Sequence, residues 1–203
     1  FLSYTSSIMT KIKLNNDYYL LRHGEAFSNI EPAWLSSWPE IKISHLTPNG
    51  KKQIEKLSFY FQKNNIDIIY SSDLNRTKQT AQIIAKKIKK PIIFSAQLRE
   101  LDFGIFNGCH PDTYHVYFKN FLERFTKKIP QGENLNQCSK RMFDFFKKIN
   151  KEQNNKKIII ISHGDPLWLL EAKIKNLTKI QTIKAHKFHL LPGEFRYLND
   201  FKN

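Results

Sequence analysis

Ile158-Ile159-Ile160-Ile161 is a run of four β-branched side chains with no polar residue to turn toward water. Such a strand is stable when both of its faces are covered, a condition met in parallel sheets layered by helices. Residues 66–70 read the same way, and residues 18–21 and 91–94 add two further short strands. Helical spacing fills the intervals. Ile54, Leu57 and Phe61 recur along residues 50–63, after the turn signal Thr47-Pro48-Asn49-Gly50. Thr77, Ala81, Ile84 and Ile88 follow Asp73, a candidate cap. Leu135, Cys138, Met142, Phe145 and Ile149 mark residues 133–149, and a further helix runs from Pro166 to about residue 175. Strands alternating with helices predict an α/β fold, a three-layer α/β/α sandwich around a mostly parallel sheet. The aromatic-rich residues 111–128 predict a short helical insertion over the site. The tail, residues 184–198, reads as two short strands around Pro192-Gly193.

A chain of 203 residues with 16 Phe and 8 Tyr supplies one core of ordinary size. Residues 17–203 are read as a single domain behind an N-terminal extension, residues 1–16. Met9 is a candidate start, which makes residues 1–8 a candidate disordered tail. The extension lacks a basic region ahead of a long apolar core, and the apolar runs are too short to span a bilayer. A cytoplasmic setting without membrane attachment is expected. Cys109 and Cys138 lack metal-ligand spacing and are too few for a disulfide framework, so reduced thiols are expected. The net charge is +15, from 33 basic and 18 acidic residues. It invites an anionic partner. The lysines are scattered over helical faces and not interleaved with aromatics, so nucleic acid is not the expected partner.

In parallel α/β sheets, ligands bind beyond the carboxyl ends of the strands. The strand ends here carry Arg22-His23-Gly24, Ser71-Ser72 with Arg76 just beyond, Leu98-Arg99-Glu100, and Ser162-His163-Gly164. Two histidines, two arginines and a carboxylate therefore converge on one rim from distant parts of the chain. Guanidiniums present forked donors to phosphate oxygens. A neutral imidazole can attack phosphorus, and a carboxylic acid can protonate a leaving oxygen and then activate water.

At these residues the chain resembles the histidine phosphatase superfamily, which includes the cofactor-dependent phosphoglycerate mutases. Leu21-Arg22-His23-Gly24-Glu25-Ala26-Phe27-Ser28-Asn29 is similar to its signature, and residues 71–81 to the segment bearing the second phosphate arginine. Residues 98–104 are similar to the proton-donor segment, and Ser162-His163-Gly164 to the second histidine motif. Gly132-Glu133-Asn134 resembles a Gly-Glu-Ser element, from which Asn134 departs. The resemblance implies His23 as the phosphorylated residue and Glu100 as the acid, with Arg22, Arg76 and His163 around the phosphoryl group. Asn29 and Gly164 would also bind phosphate. It implies no metal and no cofactor.

The implied activity is hydrolysis of a small phosphorylated metabolite, since the modest interval between Glu100 and His163 resembles the phosphatase members more than the longer mutases. A mutase and a non-catalytic phosphate-binding module of the same fold are the alternatives. Trp34, Trp38, His110, His115 and most of the insertion's aromatics are read as packing or surface residues.

Overall fold

A computed structural model describes residues 12–30 and 32–198. The candidate tail, residues 1–8, lies outside them. Among the described residues the sheet is built from β1 (Asp17–Arg22), β2 (Ile68–Ser71), β3 (Ile92–Phe94), β4 (Lys157–Ser162) and β5 (Phe195–Tyr197). They lie in the order β3-β2-β4-β1-β5. All pairings are parallel except that of β5, which runs antiparallel beside β1.

Alternation along the central strands sorts the core into two layers, because successive side chains leave a strand on opposite faces. Tyr19 and Leu21 of β1 join Ile159 and Ile161 of β4 under α1 (Pro48–Lys63) and α2 (Asn75–Ile88), which contribute Ile54, Phe61, Ala81 and Ile84. Tyr18, Leu20, Ile158 and Ile160 face the other way, toward Met142, Phe146 and Leu170. Those residues come from α4 (Leu135–Glu152) and α5 (Gly164–Ile174). All four isoleucines of the run are fully buried. The sandwich is the α/β/α architecture that its alternation predicts.

The helix starts follow local chemistry. Thr47 accepts the Gly50 N–H at the head of α1, and Pro48 occupies the first turn, where it leaves no hydrogen bond unmade. Asn134 caps α4 reciprocally with Gln137, so its departure from serine keeps the capping function. Asp73 does not cap α2. Its carboxylate is held bidentately by Arg99, at 2.7 and 2.6 Å, and Leu74 takes the N-cap position. Glu40 meets the Asn75 N–H instead.

Two further sequence expectations need correction. Residues 111–128 are not one helix: α3 (Pro111–His115) is a single short turn, and a 3-10 turn follows at Phe121–Phe125. Tyr114, Phe118, Phe121 and Phe125 have helical spacing, but Asn120 interrupts it by accepting the Glu123 N–H as a cap. Tyr114 packs edge-on against Phe103 and Phe118. The tail likewise forms one strand and not two. An unforeseen α6 (Lys179–Ala185) and a 3-10 turn, His186–Phe188, precede β5. The backbone of residues 190–194 meets the end of β1 and the residue after it: Leu190 accepts from the Arg22 side chain, the Glu194 carbonyl accepts the Arg22 N–H, and the Gly193 N–H donates to the His23 carbonyl.

Asn15 and Asn16, ahead of β1, are hydrogen-bonded to Asn150 and Gln153 at the end of α4. Cys109 and Cys138 are free thiols. Among the described residues no helix is long and apolar enough to cross a membrane.

The sheet centre predicts its own sensitivity. Ile160→Ala leaves a cavity between β4 and the α4–α5 layer, and the expected loss is about 2–5 kcal/mol. A denaturant titration reads it directly; a loss below about 1 kcal/mol would show that the layer collapses to fill the gap.

Candidate active site

The pairing of β1 with β4 sets Arg22 opposite Ser162 and thereby brings the two strand ends level. The next residues, His23 and His163, lie with ring centroids 5.2 Å apart. Both are essentially inaccessible to solvent. Nδ1 of His23 lies 2.8 Å from the Gly24 carbonyl, which can only accept. That ring nitrogen therefore carries the proton, and Nε2 presents a lone pair. Nε2 accepts the Nε–H of Arg76 at 3.1 Å.

Arg76 comes from the first turn of α2 and is buried. Its two terminal nitrogens donate to the Ser36 hydroxyl and carbonyl at 2.9 and 2.8 Å, and Glu40 stands 3.9 Å away. Burial weakens its hold on the proton, to a pKa of about 10, and it remains a cation at neutral pH. Arg22 leaves the end of β1, donates to the Leu190 carbonyl at 2.9 Å, and lies against Gly164. A Cβ at position 164 would stand 3.2 Å from its guanidinium carbon. Arg22 Nε and His163 Nδ1 are buried without hydrogen-bond partners. Such orphaned polar atoms are rare in protein interiors and suit a site that takes a polar ligand.

His163 meets the Ser72 hydroxyl through Nε2 at 2.9 Å, and its Nδ1 lies 3.9 Å from the Glu100 carboxyl. Burial, followed by the field of Arg76, holds both imidazoles well below their ordinary pKa, so both are neutral. Glu100 moves the other way. Burial and the nearby Asp165 carboxylate push it up to about 7, against Arg76 and the Leu101 N–H. The site thus holds two cations, two neutral imidazoles and one carboxyl that exchanges its proton near neutrality.

Arg22, His23, Arg76 and Glu100 line a cleft of about 250 Å³, and His163 is fully buried behind them. The structure brings Arg22, His23, Arg76, Glu100 and His163 to one rim, and Asn29 and Gly164 also line the cleft or its mouth. Asn29 is solvent-exposed and its side-chain oxygen accepts the Ala26 N–H. Gly24 has a different role from Gly164. A Cβ there would meet the Gly50 carbonyl at 2.7 Å and Ile54 at 2.8 Å, so Gly24 admits α1 to close packing and not a ligand. His110 caps α3. Trp34, Tyr114 and His115, read from the sequence as packing or surface residues, line the cleft.

Several lining residues went unassigned in the sequence. Ser36, Arg124, Asp165, His186 and His189 all reach the cleft. Asp165, directly after His163-Gly164 at a strand end, was the one with a positional signal. It bonds Arg124 at 2.9 Å and lies 3.7 Å from His186. Burial alone would raise its pKa, but Arg124 and His186 hold it below the ordinary carboxylate range.

The model of the histidine phosphatase superfamily, branch 1, matches residues 18–194. The chain belongs to this superfamily. Its members include phosphatases and mutases, and the site described above lies wholly within the matched span. A relative named probable phosphoglycerate mutase GpmB, from Escherichia coli, is 30% identical over 164 residues, 78% of this chain and 74% of the relative. Among solved structures, phosphoserine phosphatase from Entamoeba histolytica, in complex with 3-phosphoglyceric acid, is 25% identical at a TM-score of 0.74, covering 90% of this chain and 89% of that one. The α-ribazole phosphatase of Shigella flexneri shares the fold, with a TM-score of 0.73 over 89% of each chain at 23% identity.

The Glu100 environment predicts a pH signature in stability. A carboxyl whose folded pKa is raised holds a proton that the unfolded chain releases, so stability falls as pH rises from about 4.5 to about 7. Glu100→Gln removes that loss. The variant is expected to melt above the wild type at about pH 8 and close to it near pH 4.5. Parallel melting curves for the two proteins across this range would contradict the raised pKa.

Proposed function

We propose that this superfamily member is a phosphomonoester hydrolase that acts through a phosphohistidine at His23 on a small phosphorylated metabolite. The observation that carries the reading is the state of His23: Nδ1 tied to the Gly24 carbonyl and Nε2 presented as a lone pair among cations. In the first step Nε2 gives up its bond from Arg76 and attacks phosphorus, and the bond from phosphorus to the leaving oxygen breaks. Glu100 donates its proton to that oxygen. Arg22, Arg76 and His163 hold the non-bridging oxygens as charge shifts among them. In the second step water attacks the phosphohistidine, Glu100 takes the water's proton, and inorganic phosphate leaves with His23 restored.

The paired guanidiniums supply the charge that a metal supplies in other phosphatases, so turnover is expected to survive a chelator. A cytoplasmic setting belongs to the same reading. Phosphoglycerate mutase is the second reading, favoured by the name of the 30% identical relative. It shares the first step and differs in the phosphoryl acceptor.

Rapid quenching with a turned-over phosphomonoester is expected to trap acid-labile, alkali-stable phosphate on His23. Label on His163, or a catalytically active His23→Ala, overturns the assignment. Glu100→Gln is expected to slow alkyl phosphates by about 10²–10⁴ while slowing aryl phosphates less, since a good leaving group needs little protonation. For alkyl phosphates kcat/KM is expected to fall as pH rises through about 7, where Glu100 loses its proton. Equal slowing of both substrate classes, or a profile flat through that range, counts against Glu100 as the acid.

A further inference from the structure

Arg22 and Arg76 line one cleft with His23, and their two positive charges match the two negative charges of a phosphoryl group. Among the described residues lining the cleft, one further arginine is present, Arg124. It comes from the insertion and is buried, with its guanidinium stacked over Phe121 and Tyr114 at 4.7 and 5.2 Å. A third cation beside a phosphate site would ordinarily receive a second anionic group, such as a carboxylate on the leaving group. Here the position is already filled. Asp165 bonds Arg124 at 2.9 Å, with side-chain exposures of 17% and 6%. Arg124 Nε has no partner, which leaves a donor but no net charge.

The formal charges of the lining arginines and carboxylates then balance. Arg22 and Arg76 give +2, Arg124 and Asp165 cancel, and Glu100 is neutral while it carries its proton. A phosphomonoester dianion brings the sum to zero. A carboxylate or second phosphate on the leaving group would face Asp165 and, after proton transfer, Glu100, with no arginine in excess. Burying an unpaired charge among like charges is strongly unfavourable. The aromatic lining of Trp34, Phe103 and Tyr114 favours the same class of leaving group.

We infer that Asp165 is a specificity-determining residue: by neutralising Arg124 it restricts the site to phosphomonoesters whose leaving group is uncharged. This rests on the phosphatase reading above and deepens it, because it disfavours phosphoglycerates as substrates.

sn-Glycerol 3-phosphate and 3-phosphoglycerate make a matched pair that differs in a hydroxymethyl against a carboxylate. Phosphate release by the wild type is expected to favour glycerol 3-phosphate in kcat/KM by about tenfold or more. Asp165→Asn frees Arg124 and is expected to lower the KM for 3-phosphoglycerate, narrowing or reversing that ratio. Because both substrates are read on the same variant, a general loss of activity cancels. The double variant Arg124→Met/Asp165→Leu removes both charges and keeps the wild-type preference. Calorimetric binding of both ligands to His23→Ala reads the same preference without turnover. Release of phosphate from neither ligand, with tighter binding of glycerol 3-phosphate, overturns the phosphatase reading and supports the inference. Equal or tighter binding of 3-phosphoglycerate, or a ratio unmoved by Asp165→Asn, overturns the inference.

Discussion

Every element of the site depends on the parallel pairing of β1 with β4. The ladder sets Arg22 beside Ser162, and the two histidines follow as the next residue of each strand. A strand has a period of two, so a slip of one residue would turn His23 and Leu21 to the opposite faces. The slip is prevented by burial on both sides. Tyr18, Leu20, Ile158 and Ile160 belong to one layer, and Tyr19, Leu21, Ile159 and Ile161 to the other. The apolar core thus fixes the strand ends beyond which the polar site is built, and hydrogen bonds to Gly24, Ser36, Leu190 and Ser72 then orient its side chains.

The same burial sets the chemistry. Removing water lowers the basicity of His23 and His163 and raises the pKa of Glu100, which leaves two unprotonated imidazoles and a carboxyl that exchanges its proton near neutrality in one small space. In water at neutral pH the carboxyl would be ionised. The arrangement costs stability, since a desolvated carboxyl, an unpartnered Arg22 Nε and an unpartnered His163 Nδ1 are all destabilising. On the proposed reading, the groups that cost stability when the site is free are the groups that gain from a bound phosphoryl dianion.

The sheet, its layers and the five residues of the rim were legible in the sequence. Buried strands are written as unbroken apolar runs, and the residue after such a run is placed by the run itself. His23 and His163 follow from that logic, Arg76 from its position at a helix start, and Glu100, which lies beyond the 3-10 turn after β3, from its resemblance to the proton-donor segment. The insertion was not legible, because Tyr114, Phe118, Phe121 and Phe125 have helical spacing while Asn120 caps a new turn within it. Spacing records which side chains point inward and not whether one hydrogen-bonded helix connects them. The pairing of Arg124 with Asp165 spans 41 positions, and nothing local to either residue announces the other. Asp73 was misread for a related reason: a good cap was recruited by a distant arginine.

The segment that crosses the rim between α6 and β5 has a consequence for how the protein is made. Leu190 holds the Arg22 side chain and Gly193 holds the His23 carbonyl, and β5 then closes the edge of β1. Arg22, at the start of the site, is therefore secured by a residue made 168 positions later. A growing chain that has exposed Arg22 and His23 still lacks these clasps, together with β4 and His163. The rim is complete only once residues 190–197 have been made and β5 has docked on β1.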